Sequence, residues 1–224
     1  MGGQFGQGEP GPFPGVGGEA RNHLAAVDAA SGAVTAWDPN LNRPVKALGV
    51  VGSTVYAAGE FTTVGGEDRR YLAAVDAASG AATAWDPRAN GRALALAASA
   101  SVVYAGGALS SIGGVERSGL AAIDNTSGEA TAQSPQLDGI PRALAVSTTS
   151  LYVGGSFTEV DGWARVNLAA FERSSGAQRS WSSNAEASLP GFAQVDALAV
   201  SGPSLYVGGE FDLIGASRGG TWRR

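Results

Sequence analysis

The chain has 224 residues, of which 34 are Gly, 44% are apolar, 16% are charged and none is Cys. That length gives one large domain or two small ones a buried core, charge this sparse is wrong for a disordered acidic or basic chain, and no apolar run reaches the roughly 18 residues of a spanning helix. The net charge of −5 speaks against a broad nucleic-acid interface, and the lack of Cys removes disulfides, thiolate nucleophiles and Cys-based metal sites.

In chain order, Met1–Phe5 carries neither the basic nor the apolar region of a secretory signal, and Gln7–Gly15 is a Pro/Gly-rich insertion. Then a repeat begins. Leu-Ala-Ala-hydrophobic-acid occurs at Leu24–Asp28, Leu72–Asp76, Leu120–Asp124 and Leu168–Glu172, each start 48 residues after the last. Ser-Gly follows at 31–32, 79–80, 127–128 and 175–176, and Trp37, Trp85, Gln133 and Trp181 keep the same interval. An aromatic-small-small-Gly motif starts at Tyr56, Tyr104, Tyr152 and, after an insertion of about six residues, Tyr206.

The second unit shows the local signals. Leu72–Asp76 predicts a strand ended by a tight turn, Ala81–Trp85 a second strand stopped by Asp86-Pro87, Ala93–Ala97 a third, and Ser101–Ala105 a fourth running into Gly106-Gly107. No segment keeps a 3.6-residue apolar period over a helical length. Four short antiparallel strands per 48 residues match a propeller blade, with small residues where blades converge. The expectation is an all-β chain: a β-propeller of four-stranded antiparallel blades, about four complete blades plus partial ends, with units 24–71, 72–119, 120–167 and 168–216 and partial repeats at 1–23 and 217–224. An open β-solenoid is the alternative. Gly2-Gly3-Gln4-Phe5 matches Gly208-Gly209-Glu210-Phe211, so the chain starts and stops at a similar phase. This predicts a segment of a larger propeller or a short chain that self-associates.

Tyr152-Val153-Gly154-Gly155-Ser156-Phe157-Thr158, followed by Val160, Arg165 and Asn167–Phe171, resembles the bacterial delta-60 repeat propeller proteins. The stretch from Ala58-Gly59-Glu60-Phe61-Thr62 through Val64-Gly65-Gly66 and Arg69 to Asp76 does so equally. Leu-Ala-Ala-Val-Asp, Ser-Gly and Trp also look like the blade signature of quinoprotein-type propellers, whereas Trp37-Asp38 and Trp85-Asp86 echo WD repeats only faintly. The resemblance covers nearly the whole chain and implies a secreted or surface-exposed bacterial scaffold.

The repeated Trp37, Trp85 and Trp181 are read as fillers between neighbouring blades, in preference to carbohydrate platforms. Arg21, Arg69, Arg117 and Arg165 each stand seven residues before Asp28, Asp76, Asp124 and Glu172. That constant spacing predicts a repeated ion pair joining connector and strand, with a ring of Arg around an anion as the rival reading. Trp163 differs, because its counterparts Glu67 and Val115 are not aromatic and it falls in a loop, where recognition concentrates. It is the first candidate binding residue, with Asn184 and Phe192 at the ends of the insertion.

No metal site is predicted: His23 is the one His, its counterparts Tyr71, Gly119 and Asn167 share no side-chain chemistry, and the acids lack the dense spacing of a calcium loop. The Gly-Gly pairs precede no helix, so they are not phosphate loops. Asn125-Thr126-Ser127 matches a glycosylation sequon. The favoured function is a non-catalytic scaffold without cofactor, binding a protein or glycan where the copies disagree. An enzyme of quinoprotein or glycan-cleaving type and a purely structural spacer are the alternatives.

Overall fold

The computed structural model describes residues 19–133, 135–180, 183–187 and 193–215. The first sheet draws on β1 (Val45–Val51), β2 (Thr54–Gly59) and, beyond a small hairpin of β3 (Thr63–Val64) and β4 (Glu67–Asp68), β5 (Leu72–Asp76). The second repeats this with β6 (Ala93–Ala98), β7 (Val102–Gly107), the hairpin β8 (Ser111–Ile112) and β9 (Val115–Glu116), and β10 (Leu120–Asp124). The third has β11 (Ile140–Val146), β12 (Ser150–Ser156), β13 (Glu159–Val160) with β14 (Trp163–Ala164), and β15 (Leu168–Glu172). Last come β16 (Asn184–Glu186), β17 (Gln194–Ser201), β18 (Ser204–Glu210) and β19 (Leu213–Gly215).

Within each sheet the ladder is antiparallel and the middle strand is the aromatic-small-small-Gly segment: β2 lies between β1 and β5, β7 between β6 and β10, and β12 between β11 and β15. Each innermost strand has a bulge at the same place, between Val45 and Ala47, Ala93 and Ala95, and Pro141 and Ala143. The predicted second strand, Ala81–Trp85, follows β5 as the fourth and outermost strand of its sheet and is short. It pairs through a single bridge, Val75 with Ala82, repeated as Val27 with Val34, Ile123 with Ala130 and Phe171 with Gln178. Thr83 limits it, since its hydroxyl accepts from the amide of Trp85 at 3.2 Å and turns the chain out of the ladder before Asp86-Pro87.

The sheets are out of phase with the sequence units. Each takes its inner two strands from one unit and its outer two from the next, so the boundaries at 71/72 and 119/120 fall inside sheets. Besides the small hairpins and the β16–β19 pair, the described residues therefore form three whole sheets and two halves in place of the four complete blades expected: Leu24–Val34 supplies an outer pair, and β17–β18 an inner pair. Each sheet is separate and antiparallel, which rules out a solenoid with continuous parallel sheets.

Small residues let the sheets stack. A Cβ on Gly49 of β1 would stand 2.6 Å from Leu96 Cδ2 of the next sheet, one on Gly106 would stand 2.8 Å from Pro141 Cβ, and one on Gly154 2.4 Å from Val195 Cγ1. Apolar clusters run between neighbouring sheets, such as that uniting Tyr56, Ala74 and Trp85 with Leu96, Val103 and Ile123. The same seam is built at each junction, as the repeat requires.

Candidate functional site

The structure gives the repeated side chains definite partners. The acid of each Leu-Ala-Ala strand caps the turn after it. Asp76 Oδ1 accepts from the amides of Ala78 and Ser79 at 3.1 and 2.7 Å and from the Ser79 hydroxyl at 2.7 Å. Asp28 repeats all three bonds with Ala30 and Ser31, Asp124 accepts from the amides of Thr126 and Ser127, and Glu172, one methylene longer, accepts from the Ser175 hydroxyl at 2.8 Å. The donors hold Asp28, Asp76 and Asp124 below the ordinary aspartate pKa, led by the Ser31 and Ser79 hydroxyls in the first two and by the Ser127 amide in the third.

The predicted ion pairs are not there. Among the described residues none of Arg21, Arg69, Arg117 and Arg165 pairs with the acid seven residues on; of the four, only Arg21 approaches a carboxylate, that of Glu19 at 4.0 Å. The reason is distance: the Arg precedes a left-handed residue and the acid ends the five-residue strand after it, so the length of that strand lies between them. The guanidinium instead binds main chain. Its Nη1 donates to the carbonyl of the preceding residue, Ala20, Asp68, Glu116 or Ala164, at 2.6–2.8 Å. In the first three copies Nη2 donates to the carbonyl 14 residues on: Thr35 at 2.6 Å, Thr83 at 2.7 Å, and Thr131. Each of these three thus clips the end of a connector to the short fourth strand.

Trp37 and Trp85 are buried and reach across the stack: Nε1 of Trp37 donates to Asp76 O and Nε1 of Trp85 to Asp124 O, both at 2.9 Å. Gln133 does the same job through Nε2, which donates to Arg173 O at 2.8 Å. What the position requires is a side-chain N–H aimed at the next unit's turn. Trp85 also meets Tyr56 edge to face at 5.1 Å. Trp181 and Phe192 lie outside the described residues.

His23, Tyr71 and Asn167 share a backbone state, with φ of 62°, 66° and 61°, and Gly119 joins them at 76°. The shared property of this position is a left-handed residue at the entry to the third strand. A second recurrent position escapes a reading of the main motifs. Asn42, Asn90 and Asp138, at the same 48-residue step, each accept two successive amides from the start of the small hairpin: Thr62 and Thr63, Ser110 and Ser111, Thr158 and Glu159. Burial pushes the Asp138 carboxyl up, but the Thr158 hydroxyl and the Glu159 and Thr158 amides outweigh it and hold it below its ordinary value.

Against this background the unique side chains stand out. Trp163 is 68% exposed and opens β14, just past the Asp161-Gly162 turn. Asn184, expected at the edge of a displayed loop, is instead buried in β16, where its Oδ1 accepts from Val166 N at 3.1 Å and its Nδ2 donates to Glu186 at 3.2 Å. The sequon residue Asn125 is also engaged, its Nδ2 donating to Ala100 O at 2.6 Å; Arg173, one repeat on, grips the equivalent turn through Ser147 O.

Sequence reasoning missed a groove of about 490 Å³ lined by Asp68, Arg70, Tyr71, Asp86, Arg88 and Asn90, among others. Arg70 lies 3.2 Å from Asp68 and Arg88 3.7 Å from Asp86, leaving both guanidinium groups mostly exposed. The signal was available: Arg70 is replaced by Asn22, Ser118 and Val166 in the other copies, and Arg88 by Asn40 and Gln136. Among the described residues no three His, Cys, Asp or Glu side chains converge as metal ligands.

Repeated antiparallel sheets, each stacked on the next through one seam, define the chain as a set of β-propeller blades. No protein-family model and no curated protein matches the sequence. Among solved structures it is similar to the computationally designed Ika4 protein, at a TM-score of 0.47 and 15% identity over 78% of this chain and 90% of that one.

Proposed function

We propose that the chain is a non-catalytic recognition scaffold that binds a protein or glycan through side chains that break the repeat on its hairpin side. The observation that carries this reading is the contrast between the tryptophans. Trp37 and Trp85 recur and are buried with their N–H groups bonded, whereas Trp163 is unique and 68% exposed. An exposed aromatic on a rigid two-residue hairpin offers a large contact area at low entropic cost. Arg70, Arg88 and Tyr71 in the groove supply the polar complement. The carboxylates whose titration is shifted move downward as turn caps, which supports a structural use for them; an acid catalyst for glycan cleavage needs the opposite shift. The likeness to delta-60 repeat proteins supports an extracellular or cell-surface setting.

The test is to probe labelled wild type, Trp163→Ala and the double variant Arg70→Ala/Arg88→Ala on glycan and protein arrays. Wild-type binding weakened at least tenfold by Trp163→Ala, at unchanged melting temperature, supports the reading. Binding unaffected by all of these substitutions refutes it.

A further inference from the structure

Positions 22 and 40, 70 and 88, 118 and 136, and 166 and 184 are one pair of sites repeated at the 48-residue step. In three copies a hydrogen bond ties the pair together. Asn22 Nδ2 donates to Asn40 Oδ1 at 2.7 Å, Ser118 Oγ donates to Gln136 Oε1 at 2.6 Å, and Asn184 Oδ1 accepts from Val166 N at 3.1 Å. In the remaining copy the pair is Arg70 and Arg88, two side chains that donate and cannot accept. They line the groove of about 490 Å³ and do not bridge it. We propose that this groove binds an acidic sugar, whose carboxylate accepts from both guanidinium groups and so takes the role of the hydrogen bond in the other copies. The inference deepens the recognition reading above and rests on it.

Both forks are held ready for an anion. Arg70 Nε donates to Asp68 Oδ1 at 3.2 Å, and Arg88 Nε lies 3.7 Å from Asp86 Oδ2, while Asp86 Oδ1 accepts from the Arg88 amide at 3.1 Å. Each aspartate thus takes the Nε side, and among the described residues no acceptor is bonded to Nη1 or Nη2 of either Arg. Those N–H groups can grip a carboxylate with parallel bonds. The Arg side chains are 63% and 80% exposed, so their aspartate pairs are screened surface contacts that orient the forks without quenching them. The backbone adds an independent mark. Arg88 has a φ of 50°, the state that Asn40 holds at 49° in the first copy. Asn suits that left-handed region and Arg does not. An Arg kept there against the turn's own preference is the kind of strain that binding sites retain.

The rest of the groove selects what carries the carboxylate. Its two Arg and two Asp side chains leave no net charge, and the whole chain carries −5. A run of acids, as in an acidic peptide, is repelled by such a surface, whereas one carboxylate among neutral hydroxyls is not. Asp68 Oδ2 can accept from those hydroxyls, which a carboxylate partner alone would not use. Tyr71, half-buried against the first core cluster, adds an aromatic wall.

Isothermal titration of the wild-type chain with methyl glucuronide, and with methyl glucoside as its neutral counterpart, tests the assignment. The glucuronide should bind about tenfold more tightly, and Arg70→Ala or Arg88→Ala should each weaken it about tenfold at an unchanged melting temperature. The double variant Arg70→Asn/Arg88→Asn rebuilds the hydrogen-bonded pair of the first copy. It should lose glucuronide binding and keep wild-type stability. Equal affinity for the two sugars overturns the proposal, as does glucuronide binding that survives in the double Asn variant. So does inorganic sulfate or a short Glu-rich peptide that binds more tightly than the glucuronide, or a wild-type chain that leaves the glucuronide unbound at tens of millimolar. Trp163-dependent binding on the arrays that persists beside such a result leaves the broader recognition reading intact, so the two fail separately.

Discussion

Replacing Trp85 tests the division between repeated and unique side chains most directly. Trp85→Ala removes a buried ring, its edge-to-face contact with Tyr56 at 5.1 Å and the 2.9 Å bond from Nε1 to Asp124 O. Deleting a buried Trp side chain costs about 3–5 kcal/mol, of which the aromatic pair and the hydrogen bond each supply roughly 1 kcal/mol. For a domain of this size 1 kcal/mol moves the melting temperature by about 2–4 °C, so a loss of about 4 kcal/mol predicts a fall of about 8–16 °C. Trp85→Phe keeps a ring and loses the N–H, and should fall by roughly 2–8 °C. Trp163→Ala removes an exposed side chain and should stay within about 2 °C of wild type. Thermal unfolding followed by far- and near-ultraviolet circular dichroism measures all three. If Trp163→Ala is as destabilising as Trp85→Ala, the assignment of one to the stack and the other to a free surface is wrong.

Acid should unlock the turns. Asp28, Asp76 and Asp124 have folded pKa values below their unfolded ones, so their contribution is present above the ordinary aspartate range and is lost as pH falls through the lower folded values. The melting temperature of wild type should therefore drop below about pH 4, and Asp76→Asn should flatten that dependence; parallel curves would contradict the capping role. Arg69→Lys should destabilise nearly as much as Arg69→Ala, because one ammonium cannot span the carbonyls of Asp68 and Thr83; full rescue by Lys would restore an ion-pair explanation. Gly154→Ala forces a Cβ against Val195 and should cost about 1–3 kcal/mol, whereas Gly208→Ala should leave the stability of an isolated chain unchanged.

The blade was legible because its strands carry unambiguous local chemistry. Leu72–Asp76 runs into turn formers and the aromatic-small-small-Gly segment recurs in every copy, and the structure keeps them as the outer and middle members of each ladder. The phase of the sheets was not legible, since a repeat has no marked origin. Only the hydrogen-bond ladder shows that β2 pairs forward with β5 across the boundary drawn at 71/72. The Arg pattern misled for a related reason: a constant interval shows that two residues matter in every copy, not that they touch. The five-residue strand Leu72–Asp76 holds Asp76 at its far end, away from Arg69, which lies before it. Asn42, Asn90 and Asp138 were hidden in plain view, because an amide and a carboxylate look unlike until both are seen accepting the same pair of backbone amides.

The position shared by His23, Tyr71, Gly119 and Asn167 carries the point furthest, because nothing in its side chains could have revealed it. Its carbonyl and amide close the strand entry: Gly107 N donates to Gly119 O at 2.9 Å and Gly119 N to Leu109 O at 3.0 Å, and Asn167 makes the same two bonds with Gly155 and Phe157. Those bonds hold only while φ is near +60 to +76°, which costs a non-glycine residue about 1–2 kcal/mol. Gly119→Ala should incur that cost and a further one, since its Cβ would stand 3.0 Å from Gly139 O and 3.1 Å from Pro141 Cδ. A loss of about 2–3 kcal/mol by urea unfolding is expected, against near-neutrality for His23→Gly, which relieves the same angle. If Gly119→Ala proves harmless, the left-handed entry is not what the repeat preserves there.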